Sequence, residues 1–483
     1  MTEPAIIQGG MGVGVSNWHL ARAVSRMGQL GVVSGTALDA ILARRLQDGD
    51  KGGHMRRALA RFPVPEIARR ILDRYFLAEG RPPHKPYRAV PMFTLHPSEE
   101  LLELAVAANF VEVNLAKHGH AGLVGINLLE KIQMHSPAAL YGAMLAGVDY
   151  VLMGAGIPRA IPAVMDQLTT HQPISIQAHT GGAVAGEGFR IHFDPRQVMK
   201  RELPPLPRPK FVAIVASNVL ALTLAKKASG RVDGFVIEGP TAGGHNAPPR
   251  GEKTFNERGE PVYGQKDEVN LDQIRKLGLP FWVAGGCAEP EQLKALLAQG
   301  AAGIQVGTAF AYCHESGMAD WIKTAVLQQA KALKTSVFTD PLASPTGFPF
   351  KVVEIEGTLS EDDDYRERTR ICNLGYLRIP YKTADGTPAY RCAGEPEEQF
   401  LRKGGDAAMT EGRKCLCNGL MANIGLPQSY ASGYLEQALV TSGDDVKNVH
   451  RFLTGDRTTY SAADVVRHLL GLLKPPRLST ATA

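Results

Sequence analysis

Charge of one sign is in short supply in this chain. Lys and Arg number 53 against 48 Asp and Glu, a formal net charge of only +5 over 483 residues. So small an excess excludes the dense basic patch of a dedicated nucleic-acid binder. Cysteine is scarce too: six residues do not make a disulfide scaffold. No secretory signal is visible, because Glu3 and Pro4 stand where a basic n-region would be and Gly9 and Gly10 break the first apolar run. The longest uncharged apolar stretch, around residues 132–148, carries His135 and Pro137 and is no membrane span. These absences lead us to expect a cytoplasmic protein with neither a nucleic-acid nor a membrane partner. Catalytic signatures of several kinds are missing as well. There is no G-x-x-x-x-G-K-[ST], no G-x-S-x-G and no H-E-x-x-H, and HESGM at 314–318 fails at its last position.

What is present is a soluble, globular composition, 44% hydrophobic and 21% charged, with 51 glycines to shape tight loops. A short β-rich run, then glycines, then a helical pattern recurs along residues 1–339. AIIQGGMGVG (5–14), LGVVSG (30–35), FVEVNLA (110–116), LVGINLL (123–129), DYVLMGAGIP (149–158) and ISIQAHTGG (174–182) read as strand-like runs. FVAIVAS (211–217), DGFVIEGP (233–240), PFWVAGGC (280–287) and AGIQVGTAF (302–310) continue the series. The runs are continuously apolar, as in parallel strands covered on both faces. Roughly eight β-then-α units favour an α/β fold of the closed (β/α)₈ TIM-barrel kind over an open doubly wound sheet. No complete G-x-G-x-x-G follows any strand, which also weighs against the open sheet. We expect a barrel over 1–339, a helical insertion at about 36–90, and a C-terminal extension over 340–483 packed on the barrel. The polar segment 246–270 follows a strand end and reads either as a lid or as a plain surface loop.

The strand ends carry the chemistry. Gly285 and Gly286 in VAGGC, and Gly307 and Thr308 in IQVGTAF, let backbone approach a ligand on the last two strands. That is where barrels commonly bind phosphate. In EGPTAGGHNAP (238–248), Gly243 and Gly244 would let the backbone pass close to a flat ring, and His245 would project into the mouth. An imidazole is a natural general base near neutral pH. Gly9, Gly10 and Met11 end the first strand, and Asn127 offers a donor and an acceptor at another strand end. Gln177, one pleat from His179, is a further candidate contact. His118 and His120 read as surface or packing residues. The tail holds Cys372, Cys392, Cys415 and Cys417, spaced C-x₁₉-C-x₂₂-C-x-C. Such thiols could hold Zn²⁺ or an iron–sulfur cluster, or could simply be buried free cysteines. The usual C-x₂-C knuckle is absent, and no metal ligand is assigned.

The order IIQGGMG, GINL, EGP-AGGH, VAGG and IQVGTAF resembles the nitronate monooxygenase family, formerly called 2-nitropropane dioxygenases, over roughly residues 4–320. The resemblance implies a flavin-dependent oxidoreductase with non-covalent FMN, its phosphate at the loops after strands seven and eight. Carried onto this sequence, it sets Gly10, Met11 and Asn127 along the flavin ring. Gly285 and Gly286 form one phosphate loop, and Gln305, Val306, Gly307 and Thr308 the other. It makes His245 the base and Gln265 a further flavin contact. The implied reaction is oxidation of alkyl nitronates with O₂ to a carbonyl compound and nitrite. An FMN-dependent NAD(P)H enoyl-thioester reductase shares the G-G-H strand end and is the alternative; a flavin-holding binding protein without turnover is a third reading. The family usually reads E-A-G-G-H, and Thr241 stands in place of that acid. Small-molecule substrate and O₂ are the expected partners, with a homo-oligomer left open.

Overall fold

The computed structural model describes residues 3–183 and 187–472. Eight parallel strands close into a barrel: Ile6–Gln8, Leu30–Ser34, Val124–Leu129, Tyr150–Gly154, Lys210–Val215, Gly234–Glu238, Phe281–Ala284 and Gly303–Val306. We number them one to eight in that order. The first strand closes the ring, pairing Gln8 with Val306 on one side and Ile7 with Leu30 on the other. Apolar residues fill the barrel interior, including Ile7, Val32, Leu152, Val236 and the fully buried Trp282. This interior is a packed core, so the open end of the ring is left for chemistry. Trp282 Nε1 donates to Pro4 O at 2.7 Å, which satisfies the single polar atom of that core residue. At Gly31 a Cβ would lie 1.9 Å from Ala21 O, so helix Trp18–Ser25 rests directly on strand two only because this residue is glycine.

Two strand-like runs fold otherwise. Residues 110–116 are the C-terminal part of helix Glu99–Lys117. Ser98 caps that helix, accepting from Leu101 N, with Glu99 and Glu100 in its first turn and Lys117 in its last. Its residues are buried on nearly every face, so the run of Val and Phe that suggested a strand reflects a core helix, whose packing overrides β-propensity. Helices Leu38–Gln47, His54–Leu59 and Pro65–Tyr75 precede it, all between strands two and three.

The second exception is ISIQAHTGG. Ile174–Gln177 pairs antiparallel with Arg190–Phe193 in a hairpin outside the barrel. Strand four pairs directly with Lys210–Val215, so no slot in the ring remains for it.

The tail winds over the barrel mouth. It contributes the antiparallel pairs Val337–Asp340 with Phe350–Val353 and Ile379–Lys382 with Pro388–Arg391, and helices that include Leu416–Asn423 and Ala462–Leu469. One hydrophobic cluster mixes barrel residues Ile6, Val306 and Phe310 with tail residues Val440, Phe452 and Tyr460. Among the described residues no helix is long and apolar enough to cross a membrane.

Candidate active site

A cavity of about 250 Å³ opens at the C-terminal ends of the strands. The loop after strand one is shaped by buried polar groups. Gln8 Nε2 donates to Ser16 Oγ at 2.8 Å, Ser16 Oγ donates to Gly9 O at 2.9 Å, and Met11 N donates to Ser16 Oγ at 2.9 Å. This clamp presses Gly10 against strand three, where a Cβ would meet Asn127 Cβ at 2.1 Å. Asn127 Nδ2 donates to Gly10 O at 3.2 Å, which leaves Asn127 Oδ1 buried without a donor. Gln305 Oε1, on strand eight, is likewise buried and unpaired. Two orphaned acceptors on one cavity wall suit a ligand that brings its own N–H or O–H groups.

Next to Gln305, the end of strand seven is glycine-lined. Gly285 and Gly286 have φ of +97° and +64°, and a Cβ on either would crowd Thr241 Oγ1. A tail segment completes this end. Gly443 N donates to Thr308 Oγ1 at 3.0 Å, and Asp444 N donates to Thr241 O at 3.0 Å. Asp445 also lies on the wall, and Arg451 neutralises it through Nη2 at 2.7 Å and Nη1 at 2.9 Å.

His245 sits after strand six, clamped by the tail on both sides. Gly244 N donates to Thr441 Oγ1 at 3.1 Å, and Lys351 N donates to Gly244 O at 3.0 Å. The imidazole Nε2 is 2.7 Å from Ser344 Oγ, which is 2.8 Å from Thr346 Oγ1. Phe350 packs edge-on at 4.9 Å between ring centroids. Desolvation lowers the imidazole pKa to about 4, so His245 is neutral at physiological pH. Glu238, at the end of the same strand, also lines the cavity, and burial raises its carboxyl to about 8. An uncharged base and a protonated acid thus share one cavity, with environments that push their pKa values apart.

Gly10, Met11, Asn127, Gly243, Gly244 and His245 line this cavity together with Gly285, Gly286, Gln305, Val306, Gly307 and Thr308. Two expected contacts do not join them. Gln177 is exposed on the hairpin outside the barrel. Gln265 is exposed in a 3₁₀ turn, Gln265–Asp267, on the 246–270 loop. That loop contributes nothing to the cavity wall. It packs against the tail instead, with Thr339 N donating to Glu260 Oε1 at 2.9 Å and Arg258 Nη2 donating to Glu354 Oε1 at 3.0 Å. The mouth is walled by Phe350, Leu420 and residues 441–443 and 445. Sequence reasoning missed Ser344 and this tail wall, neither of which has a motif. Glu238 stood in the segment EGPTAGGHNAP without a role, and its desolvation has no local signal.

Residues 208–343 match the family model described as nitronate monooxygenase. A probable nitronate monooxygenase of Staphylococcus haemolyticus is 31% identical over 133 residues, covering 27% of this chain and 36% of that protein. The (3aS,4S,5R,7aS)-5-hydroxy-7a-methyl-1-oxo-octahydro-1H-indene-4-carboxyl-CoA dehydrogenase of Mycobacterium tuberculosis is 25% identical over 236 residues, 44% of this chain and 60% of that one. Superposition on FabK from Thermotoga maritima covers 98% of this chain and 93% of that one at 15% identity and a TM-score of 0.48. The chain spans 36% and 60% of the length of these two curated relatives.

Proposed function

With residues 208–343 of nitronate monooxygenase type as the premise, we propose that the cavity binds FMN. We further propose that the chain is a flavin-dependent oxidoreductase that oxidises alkyl nitronates with O₂ to a carbonyl compound and nitrite. The observation that carries this reading is the neutral His245, held by Ser344 beside two orphaned acceptors.

The residues present fit the cofactor. Asn127 Oδ1 and Gln305 Oε1 would accept from its N–H or O–H groups, and Gly285, Gly286 and Gly307 leave backbone room for its phosphate. Arg451 cancels the charge of Asp445, which would otherwise repel that phosphate. FMN supplies electron acceptance and reactivity towards O₂. The protein supplies position and proton handling. With Nε2–H donating to Ser344 Oγ, His245 Nδ1 keeps a free lone pair. That nitrogen takes the acidic proton α to a nitro group. Protonated Glu238 can donate a hydrogen bond to an anion without repelling it.

A second reading is NAD(P)H-dependent reduction of an enoyl thioester. It is favoured by the Mycobacterium tuberculosis relative, whose name is that of a CoA-ester dehydrogenase. Anaerobic addition of a nitronate, then of NADPH, separates the two. Bleaching of the flavin by nitronate alone supports the first, and bleaching by NADPH alone the second.

The pH profile follows from the two shifted groups. Nitroalkane turnover is expected to fall below about pH 4, as His245 gains a proton, and above about pH 8, as Glu238 loses one. Glu238→Gln should abolish the alkaline limb; an unchanged limb in that variant would remove Glu238 from the scheme.

Gly443→Ala probes the tail wall. Its Cβ would stand 2.8 Å from Thr241 O and 2.9 Å from Thr308 Oγ1. Overpacking of about 1–3 kcal/mol should weaken FMN binding by roughly tenfold or more. Quenching of flavin fluorescence on titration measures this, and unchanged affinity would place the cofactor away from residue 443.

A further inference from the structure

Two hydroxyls outside the cavity continue from the His245 ring. Nε2 is 2.7 Å from Ser344 Oγ, and Ser344 Oγ is 2.8 Å from Thr346 Oγ1. Ser344 is fully buried, whereas Thr346 is partly exposed beside the exposed Gly347. Neither residue lines the main cavity, so the exposed face of Thr346 opens on the outer surface. We propose that Ser344 and Thr346 form a two-hydroxyl relay that passes protons between His245 and bulk water through the tail. The relay rests on the reading of His245 as the base.

Three features support it. First, the bonding capacity of both hydroxyls is accounted for. Thr346 N donates to Ser344 Oγ at 3.2 Å, and Phe348 N donates to Thr346 Oγ1 at 3.4 Å. Each oxygen keeps one further acceptor position and one proton. These fit two polarities equally well. In one, Nε2–H donates to Ser344, Ser344 donates to Thr346, and Thr346 donates outward. In the other, Thr346 donates to Ser344 and Ser344 donates to Nε2. A relay needs a chain satisfied in both directions, because one passage of protons converts the first polarity into the second.

Second, the loop that carries the hydroxyls is tied down. Asp340 Oδ1 accepts from Leu342 N at 2.8 Å and from Ala343 N at 2.9 Å. Arg413 Nη1 donates to Leu342 O at 2.6 Å and to Ser344 O at 2.8 Å. Lys414 N donates to Ala343 O at 2.8 Å, and Gly347 N donates to Ser344 O at 3.0 Å. The backbone on both sides of Ser344 is thereby fixed, which keeps its hydroxyl within reach of the ring.

Third, the surroundings leave the hydroxyls as the way out. Among the described residues, Ser344 is the one hydrogen-bond partner of the ring. The rings of Phe350 and Phe348 stand edge-on, with centroids 4.9 and 6.5 Å from that of His245. Desolvation holds the imidazole pKa at about 4, so a ring carrying both protons is costly. Giving up the Nε2 proton as Nδ1 gains one avoids that charge.

In an outward passage Nδ1 takes a proton from the cavity side and the Nε2 proton moves to Ser344 Oγ. The Ser344 proton moves to Thr346 Oγ1, and the Thr346 proton leaves to water. One proton enters, one leaves, and the ring stays neutral. The reverse passage draws a proton from water, lets Nδ1 return one to the cavity, and restores the starting tautomer. Ser344 and Thr346 line no part of the cavity and act only through His245, as positioning residues.

The test reads proton exchange and needs no turnover. The full chain with FMN bound carries nitrogen-15 histidine, and NMR follows exchange of the His245 ring N–H with water. The resonance missing from His245→Asn assigns it. Thr346→Val keeps the side-chain shape, removes the hydroxyl, and should slow that exchange by about tenfold or more. Thr346→Ser keeps a hydroxyl and should exchange like the wild type. If Thr346→Val fails to fold, Thr346→Ala removes the same hydroxyl and carries the same expectation. Wild-type exchange in a folded variant without the hydroxyl overturns the proposal, and so does a Thr346→Ser protein as slow as Thr346→Val. Failure of the base reading shows elsewhere, as equal losses on nitroalkane and nitronate in His245→Asn, so the two failures are distinguishable.

Discussion

His245→Asn is expected to lower turnover of a neutral nitroalkane by about 10²–10⁴-fold, the usual worth of a positioned general base, while the purified protein remains yellow. The imidazole takes the proton but does not form the cofactor's main cradle, which rests on Asn127, Gln305 and the strand-end glycines. Asparagine fits the same space, keeps a polar contact for Ser344, and cannot accept a proton near neutrality. A preformed nitronate needs no deprotonation, so the variant should lose much less activity on that substrate. Steady-state rates on the paired substrates measure the difference. Equal losses on both would show that His245 binds the anion rather than abstracting the proton, and no loss on either would remove it from the reaction.

The second large effect lies in the tail. Arg368 and Glu436 form an ion pair whose side chains are 1% and 0% exposed. Removing one partner strands the other charge in a low-dielectric interior. Glu436→Ala should therefore cost about 3–5 kcal/mol, read as a lower urea midpoint for loss of tail structure. Replacing both by apolar residues, Arg368→Met with Glu436→Leu, should restore most of that loss, because neither desolvated charge remains. A double variant as weak as the single one would mean that Arg368 has a further obligatory partner.

Much of the barrel was legible because parallel strands buried on both faces leave uninterrupted apolar runs, as VGINLL and FVAIV do. The same rule misread 110–116, where a helix buried on most sides leaves an equally apolar run. It also misread 174–177, whose partner in an outer hairpin cannot be seen from composition. At the site, local signals worked where backbone geometry demands a residue type. Gly10 is pinned because a Cβ there would lie 2.1 Å from Asn127 Cβ, and Gly285 and Gly286 by positive φ. Gln177 and Gln265 failed because an amide at a loop or strand end fits many surroundings. Ser344 and Thr441 were invisible because they meet the His245 loop across 99 and 197 residues of chain.

The Gly443–Thr308 contact joins positions 135 residues apart, and strand eight is finished at Val306. A ribosome that has just released the eighth strand has therefore made a ring with an unfinished rim. The pocket gains its last side only after the C-terminal third has emerged and wrapped back. Loading of the prosthetic group is in consequence a late event in biogenesis, and a nascent chain arrested before residue 441 should emerge as an apoprotein.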